Sequence, residues 1–258
     1  MTPTSLAAAS VVERPQLAAP PAAATTPGPD ANPNHQLRSF ALNQFCRRIK
    51  VSRHIPSIDL STFLTRTLLG PTTANLSGLT WSVSAAVGTG SVGSFGVVAV
   101  LPDLAAFESG IAKLNADSAW LAEGQKMLLK HVATAEDLMV EVIGGSIRPE
   151  GAGPVQQTIV GIAAPGKLSE AFAGTIDSAA LWIKHGALST VAMLGITGPL
   201  GQLGLGASYE SMAHYQAVRA AIRSDAEFGP LFARNTETFS AGSFSLGLWS
   251  LISRSTPN

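Results

Sequence analysis

Six residues carry the chemistry that the chain's periodicity gathers onto one surface: His54, Ser82, Ser84, Glu141, Thr190 and Trp249. An imidazole with an ordinary pKa of about 6.5 suits proton transfer near neutrality, so His54 is the candidate general base. Glu141 is the carboxylate that orients it or titrates with it. Ser82, Ser84 and Thr190 offer hydroxyls to a substrate, and Trp249 offers an aromatic wall. The remaining histidines read as structural. His131 and His185 fall at helix ends, where a cation gains from the helix dipole. His214 lies near a helix start, and His35 in the N-terminal segment. No HxxxH or HxH spacing occurs, and the single Cys46 excludes a CxxC site and an intrachain disulfide. No metal site is expected.

The elements that position these residues follow from alternation. In `RIKVSRHI`, Ile49, Val51 and Ile55 side with the helices, which turns Lys50, Ser52 and His54 inward. In `LTWSVSAAV`, Leu79, Trp81, Val83 and Val87 take the helix side, leaving Thr80, Ser82 and Ser84 inside. In `DLMVEVI`, assigning Leu138, Val140 and Val142 to the helices puts Glu141 inside with His54. The second half supplies an apolar wall from Thr158, Val160, Ile162, Thr190 and Trp249. A mostly apolar pocket with a few converging polar groups is the usual form of a small-molecule site.

Two phrases, `NADSAWL` (115–121) and `RSDAEFG` (223–229), show that the chain repeats itself. Each places an Asp three residues before an aromatic, Asp117 before Trp120 and Asp225 before Phe228. A shift of 108 also aligns Leu60 with Leu168, Gly78 with Gly186, Val83 with Val191, Gly96 with Gly204 and Leu138 with Leu246. The expectation is an ungapped repeat from about residue 49 onward. Each copy reads β-α-β-β-α-β, with helix caps at Asp103 and Ser211. That order is the ferredoxin-like plan, an antiparallel sheet with helices on one face. The bare faces must be buried, and two copies in one chain can bury them against each other as an α/β barrel. The predicted class is α+β. The predicted organisation is an Ala/Pro-rich tail over 1–45, repeat 1 over 46–147, a linker over 148–153 and repeat 2 over 154–258. `GTGSVGSFG` joins two strands, so it reads as a hairpin turn and not a dinucleotide loop, which sits between a strand and a helix.

Composition narrows the partners. Hydrophobic residues make up 46% and charged residues 13%, enough for a large core, and the net charge is zero. No basic patch extends beyond `CRRIK`, so nucleic acid is not an expected partner. No apolar run reaches the roughly 18 residues that cross a bilayer. Seven prolines between Pro3 and Pro33, among Ala and Thr, predict a flexible tail with little to bury, and no basic n-region precedes it. A cytoplasmic location and a possible homo-oligomer are expected.

From Arg48 to Ile252 the chain resembles the dimeric α/β-barrel superfamily, which includes antibiotic-biosynthesis monooxygenases, NIPSNAP-like proteins, small polyketide cyclases and haem-binding chlorite-dismutase relatives. The element order and the helix-end phrases `LNADSAWL` and `IRSDAEFGPLF` carry the resemblance. It implies an enzyme that binds an apolar or aromatic molecule in the barrel and oxygenates or cyclises it with no bound cofactor. Two alternatives follow. One is a non-catalytic binding or scaffold protein. The other is a haem enzyme, with His185 or His214 as the candidate ligand.

Overall fold

The computed structural model describes residues 43–51, 71–87, 94–148 and 152–258. The Ala/Pro-rich segment and the stretch holding His54 lie outside these. The described elements are β1 (Asn43–Val51), α1 (Pro71–Ser77), β2 (Thr80–Ala86), β3 (Ser94–Leu101), α2 (Leu104–Ala116), α3 (Ser118–His131), β4 (Val132–Ser146), β5 (Val155–Ile162), α4 (Leu168–Lys184), β6 (Ser189–Gly195), β7 (Gln202–Tyr209), α5 (Met212–Ser224), α6 (Phe228–Thr238) and β8 (Ser245–Ser255).

The strands close into one barrel in the order β1-β3-β2-β8-β5-β7-β6-β4. Read as halves, this is β4-β1-β3-β2 and β8-β5-β7-β6, the same permutation twice. Every neighbouring pair is antiparallel, including the two seams, β2 with β8 and β4 with β6. The architecture is therefore the expected pair of ferredoxin-like sheets, joined edge to edge so that no sheet edge is left open. Each seam carries one bulge. Ile252 is skipped between Val83↔Ser253 and Ser84↔Leu251, and Ile143 between Val142↔Met193 and Gly144↔Ala192. Bulges sharpen strand twist and bend, which helps two open sheets meet.

The phrases that revealed the repeat occupy equivalent places. Asp117 ends α2 with its N–H on the Leu114 carbonyl, and its carboxylate accepts from the Trp120 N–H at 2.8 Å. Asp225 ends α5 with its N–H on the Ile222 carbonyl, and its carboxylate accepts from the Glu227 N–H at 2.8 Å. Asp103 and Ser211 cap the same two helices. After α4, Gly186 takes a φ of +97° and donates to Ile183, while Ala187 donates to Trp182, a Schellman ending that favours glycine.

The repeat is not ungapped, however. Asn43 pairs with Leu101 and Val155 with Tyr209, so β3 and β7 correspond at an offset of 108 but β1 and β5 at 112. Asn43 also faces Glu141 while Val155 faces Ser250, which sets β4 against β8 at 109. Trp81 lies across from Ala99 and Thr190 from Ala207; with β3 and β7 offset by 108, Trp81 and Thr190 correspond at 109. The expected alignment is off by one residue in two strands per half. In a strand a shift of one turns a side chain to the opposite face.

Helices cover the outside of the barrel. Trp81, Val83, Phe95, Val97 and Leu114 form the core between β2, β3 and the helices of the first half. Tyr209, Tyr215, Val218, Ile222 and Leu248 do so in the second. Among the described residues no helix is long and apolar enough to cross a membrane.

Candidate functional site

Among the described residues, one cavity lies on each side of the second half-sheet. The first is the barrel interior, about 360 Å³, lined by Ser84, Leu138, Val140, Thr158, Met193 and Trp249 among others. Two pairs of its polar groups answer one another. The Trp249 indole donates to Thr158 Oγ1 at 3.0 Å, and Ser84 Oγ donates to Gln156 Oε1 at 3.4 Å. Glycines make room for the indole: a Cβ on Gly247 would lie 2.5 Å from the indole nitrogen and 2.6 Å from Thr158 Oγ1.

Of the six residues read from sequence, Ser84 and Trp249 share this interior. Ser82 is on the same face of β2 but does not line the cavity. Glu141 is exposed, on the opposite face of β4 from Leu138 and Val140, which line the interior. Thr190 is buried on the helix side, donating to the Ala179 carbonyl of α4 at 3.3 Å. The two corrections have different causes. Leu138 and Val140, expected on the helix side, line the interior, which turns Glu141 outward; Thr190 corresponds to Trp81 rather than Ser82. His54 lies outside the described residues, so its expected meeting with Glu141 has no counterpart among them.

The second cavity, about 560 Å³, lies between the outer faces of β5 and β7 and the helices α4, α5 and α6. That volume is ordinary for a site holding a small organic molecule. The small residues Gly174 and Ser178 let α6 approach α4: a Cβ on Gly174 would overlap Asn235 Oδ1, whose Nδ2 donates to Ser178 Oγ at 3.1 Å. Arg234 pairs with Asp177 across the same contact. Ile159, Leu205 and Ile222 form the apolar floor and one wall, and Phe232, Phe244 and Leu246 form a rim at 58%, 49% and 46% exposure. The first half has a larger side chain at one of these places, Phe95 where this half has Leu203.

Gln157 is the polar feature of this cavity. It is buried, and its side-chain oxygen accepts from the Tyr209 hydroxyl at 2.8 Å and from the Trp182 indole at 3.4 Å. An indole N–H only donates, so the atom facing it is the oxygen and the amide orientation is fixed. Burial pushes the Tyr209 hydroxyl well above the usual phenol range, so it stays protonated and keeps donating. The Gln157 Nε2 group is left with no partner among the described residues, on a side chain that lines the cavity. Sequence alternation hides this residue, because a Gln on a helix-facing position looks like a misplaced polar group.

The histidines are engaged elsewhere. His185 Nε2 meets Asp225 Oδ2 at 2.7 Å, beside Lys184 Nζ at 2.9 Å. The Glu227 N–H, Lys184 and His185 together hold the Asp225 carboxyl well below the usual carboxylate range. This cluster ties the end of α4 to the end of α5. His214 Nδ1 accepts from the Glu210 N–H at 3.2 Å. Neither lines either of these two cavities, whose described walls carry no histidine or cysteine, and no cluster of three metal-ligating side chains occurs among the described residues.

No protein-family model matches the sequence, and comparison with curated proteins finds no match. Solved structures are similar in fold. An anthrone oxidase-like protein superposes with a TM-score of 0.63 at 11% identity, over 84% of this chain and 93% of its own. A "Putative monooxygenase" from Fusobacterium nucleatum subsp. nucleatum ATCC 25586 gives 0.59 at 10%, over 84% and 95%. Another from Lactobacillus acidophilus NCFM gives 0.57 at 10%, over 84% and 96%. These neighbours are of the monooxygenase-like ferredoxin-fold group expected from the element order. At such identities the likeness is one of fold, and the reaction must be argued from the chain's own residues.

Proposed function

We propose that the chain is a small-molecule enzyme that takes an apolar, aromatic ketone-like substrate into the cavity between the second half-sheet and its helices, and oxygenates it without a bound cofactor. The observation that carries this reading is the unpartnered Gln157 amide within an apolar cavity. The interior of the barrel is smaller, and its Trp249 and Ser84 donors already have acceptors. The Gln157 amide lies on a side chain that lines the cavity, where a ligand oxygen can accept from it. The names of the oxidase-like and monooxygenase neighbours prompt the choice of reaction.

The chemistry asks little of the protein. An activated C–H of the substrate gives its proton to solvent, and the enolate oxygen accepts from the Gln157 amide, which stabilises the developing charge. The enolate carbon attacks dioxygen, forming a C–O bond as oxygen is reduced to a peroxide that takes up a proton. The hydroperoxide loses water to leave a carbonyl, so one dioxygen is consumed and one water released. A second reading is binding without turnover. It is favoured by the absence of a carboxylate or imidazole base among the described residues lining this cavity. Oxygen uptake with anthrone as substrate separates the two. Uptake above spontaneous autoxidation, with anthraquinone formed and with loss in Ile159→Trp, supports the enzyme. Saturable binding with no acceleration favours the binding protein.

A further inference from the structure

The charged residues of the same cavity point to a feature of its ligand. Arg219 and Arg223 are the only charged side chains among the described residues that line it. They stand one turn apart on α5, so both side chains leave the helix on the face that borders the cavity. Arg219 is half-buried, donates to the Tyr215 hydroxyl at 3.1 Å and has its guanidinium 5.3 Å from that ring's centre. Those partners are neutral. Neither arginine has an ion pair among the described residues. The nearby carboxylates are committed: Asp225 and Glu227 to Lys184, and Asp177 to Arg234. Arg219 is half-buried and Arg223 exposed, and neither has an anion to answer it beside this apolar cavity. Guanidinium is also the cation whose planar fork suits a carboxylate-like group.

We infer that the cavity selects ligands that carry one anionic group on an apolar body. The body lies against Ile159, Leu205 and the phenylalanine rim, and the anion pairs with Arg219 and Arg223. This rests on the cavity being the ligand site, as proposed above, and the test keeps the two apart. Two dyes share one aromatic body and differ in charge. 8-Anilinonaphthalene-1-sulfonate carries a sulfonate, and N-phenyl-1-naphthylamine is neutral. Both are titrated by fluorescence into the full chain. The sulfonate is expected to bind more tightly, and its affinity to fall with added salt while that of the neutral dye does not. Arg219→Gln with Arg223→Gln should weaken the sulfonate about tenfold or more, the size of one lost charge-assisted hydrogen bond. The neutral dye should change less than about twofold, and Arg219→Lys with Arg223→Lys should restore part of the difference. If the neutral dye binds as tightly as the sulfonate, with no salt dependence for either, the anion preference is overturned and the cavity stands. If both dyes bind and Ile159→Trp leaves both titrations unchanged, the dyes are not in this cavity, and the proposed site fails with the inference. The salt series needs no variant, so a misfolded mutant does not blunt the test.

Discussion

Gln157 holds the floor of the cavity, and its replacement has a size that follows from its contacts. In Gln157→Leu the Tyr209 hydroxyl and the Trp182 indole both lose their acceptor. Tyr209 is fully buried, so its hydroxyl has no water to turn to. One buried unsatisfied donor costs about 1–3 kcal/mol. The Trp182 bond is long and that side chain only half-buried, so it adds little, and the expected loss is about 2–3 kcal/mol. Tyr209→Phe removes the donor and leaves the glutamine oxygen with the Trp182 N–H, costing about 1 kcal/mol. The double variant removes both partners at once, so it should be more stable than the sum of the single losses by about 1 kcal/mol or more. Urea unfolding followed by tryptophan fluorescence measures all four proteins. Additive losses, or a Gln157→Leu loss below about 0.5 kcal/mol, would mean that the Tyr209–Gln157 bond does not set the amide. The unpartnered Nε2 group would then lose its basis.

Other consequences are equally direct. Gly145 has a φ of +114°, and a Cβ there would overlap the Thr190 carbonyl across the β4–β6 seam; Gly145→Ala should cost about 2–4 kcal/mol in denaturant unfolding, and a loss under about 1 kcal/mol would place the seam elsewhere. Asp225→Asn should lower the melting temperature at neutral pH. Because the folded carboxyl sits below its ordinary range, its stabilising effect is present above about pH 4 and is lost as pH falls, so the two melting curves should converge in acid and a constant gap would refute the pairing. Ile159→Trp, which fills the cavity, should abolish binding of N-phenyl-1-naphthylamine while leaving the far-ultraviolet circular dichroism unchanged; retained binding would exclude the cavity.

The fold was legible because its signals are local and doubled. The caps Asp103 and Ser211 and the helix-end residues Asp117 and Asp225 recur at an offset of 108, the offset that β3 and β7 keep. Element order did the rest. The site was only partly legible, because both faces of a barrel strand are apolar. In β4, Leu138 and Val140 look outward by pattern yet line the interior, since a hydrophobic side chain suits either the helix layer or the barrel core. Alternation then fixes which residues share a face but not which face it is. Ser84 and Trp249 share the interior; Glu141 lies outside it because of that choice of face, and Thr190 because of a one-residue change in offset that apolar-on-apolar matching cannot detect. The outer cavity draws on six elements of the second half and reads along each as ordinary core.

The central claim is that the ligand site lies outside the barrel, between β5, β7 and the helices α4, α5 and α6. A crystal structure of the chain grown with N-phenyl-1-naphthylamine tests it most directly. The account predicts density for the dye against Ile159 and Leu205, with its amine or ring edge beside Gln157. Density inside the barrel beside Trp249, with the outer cavity empty, would contradict it.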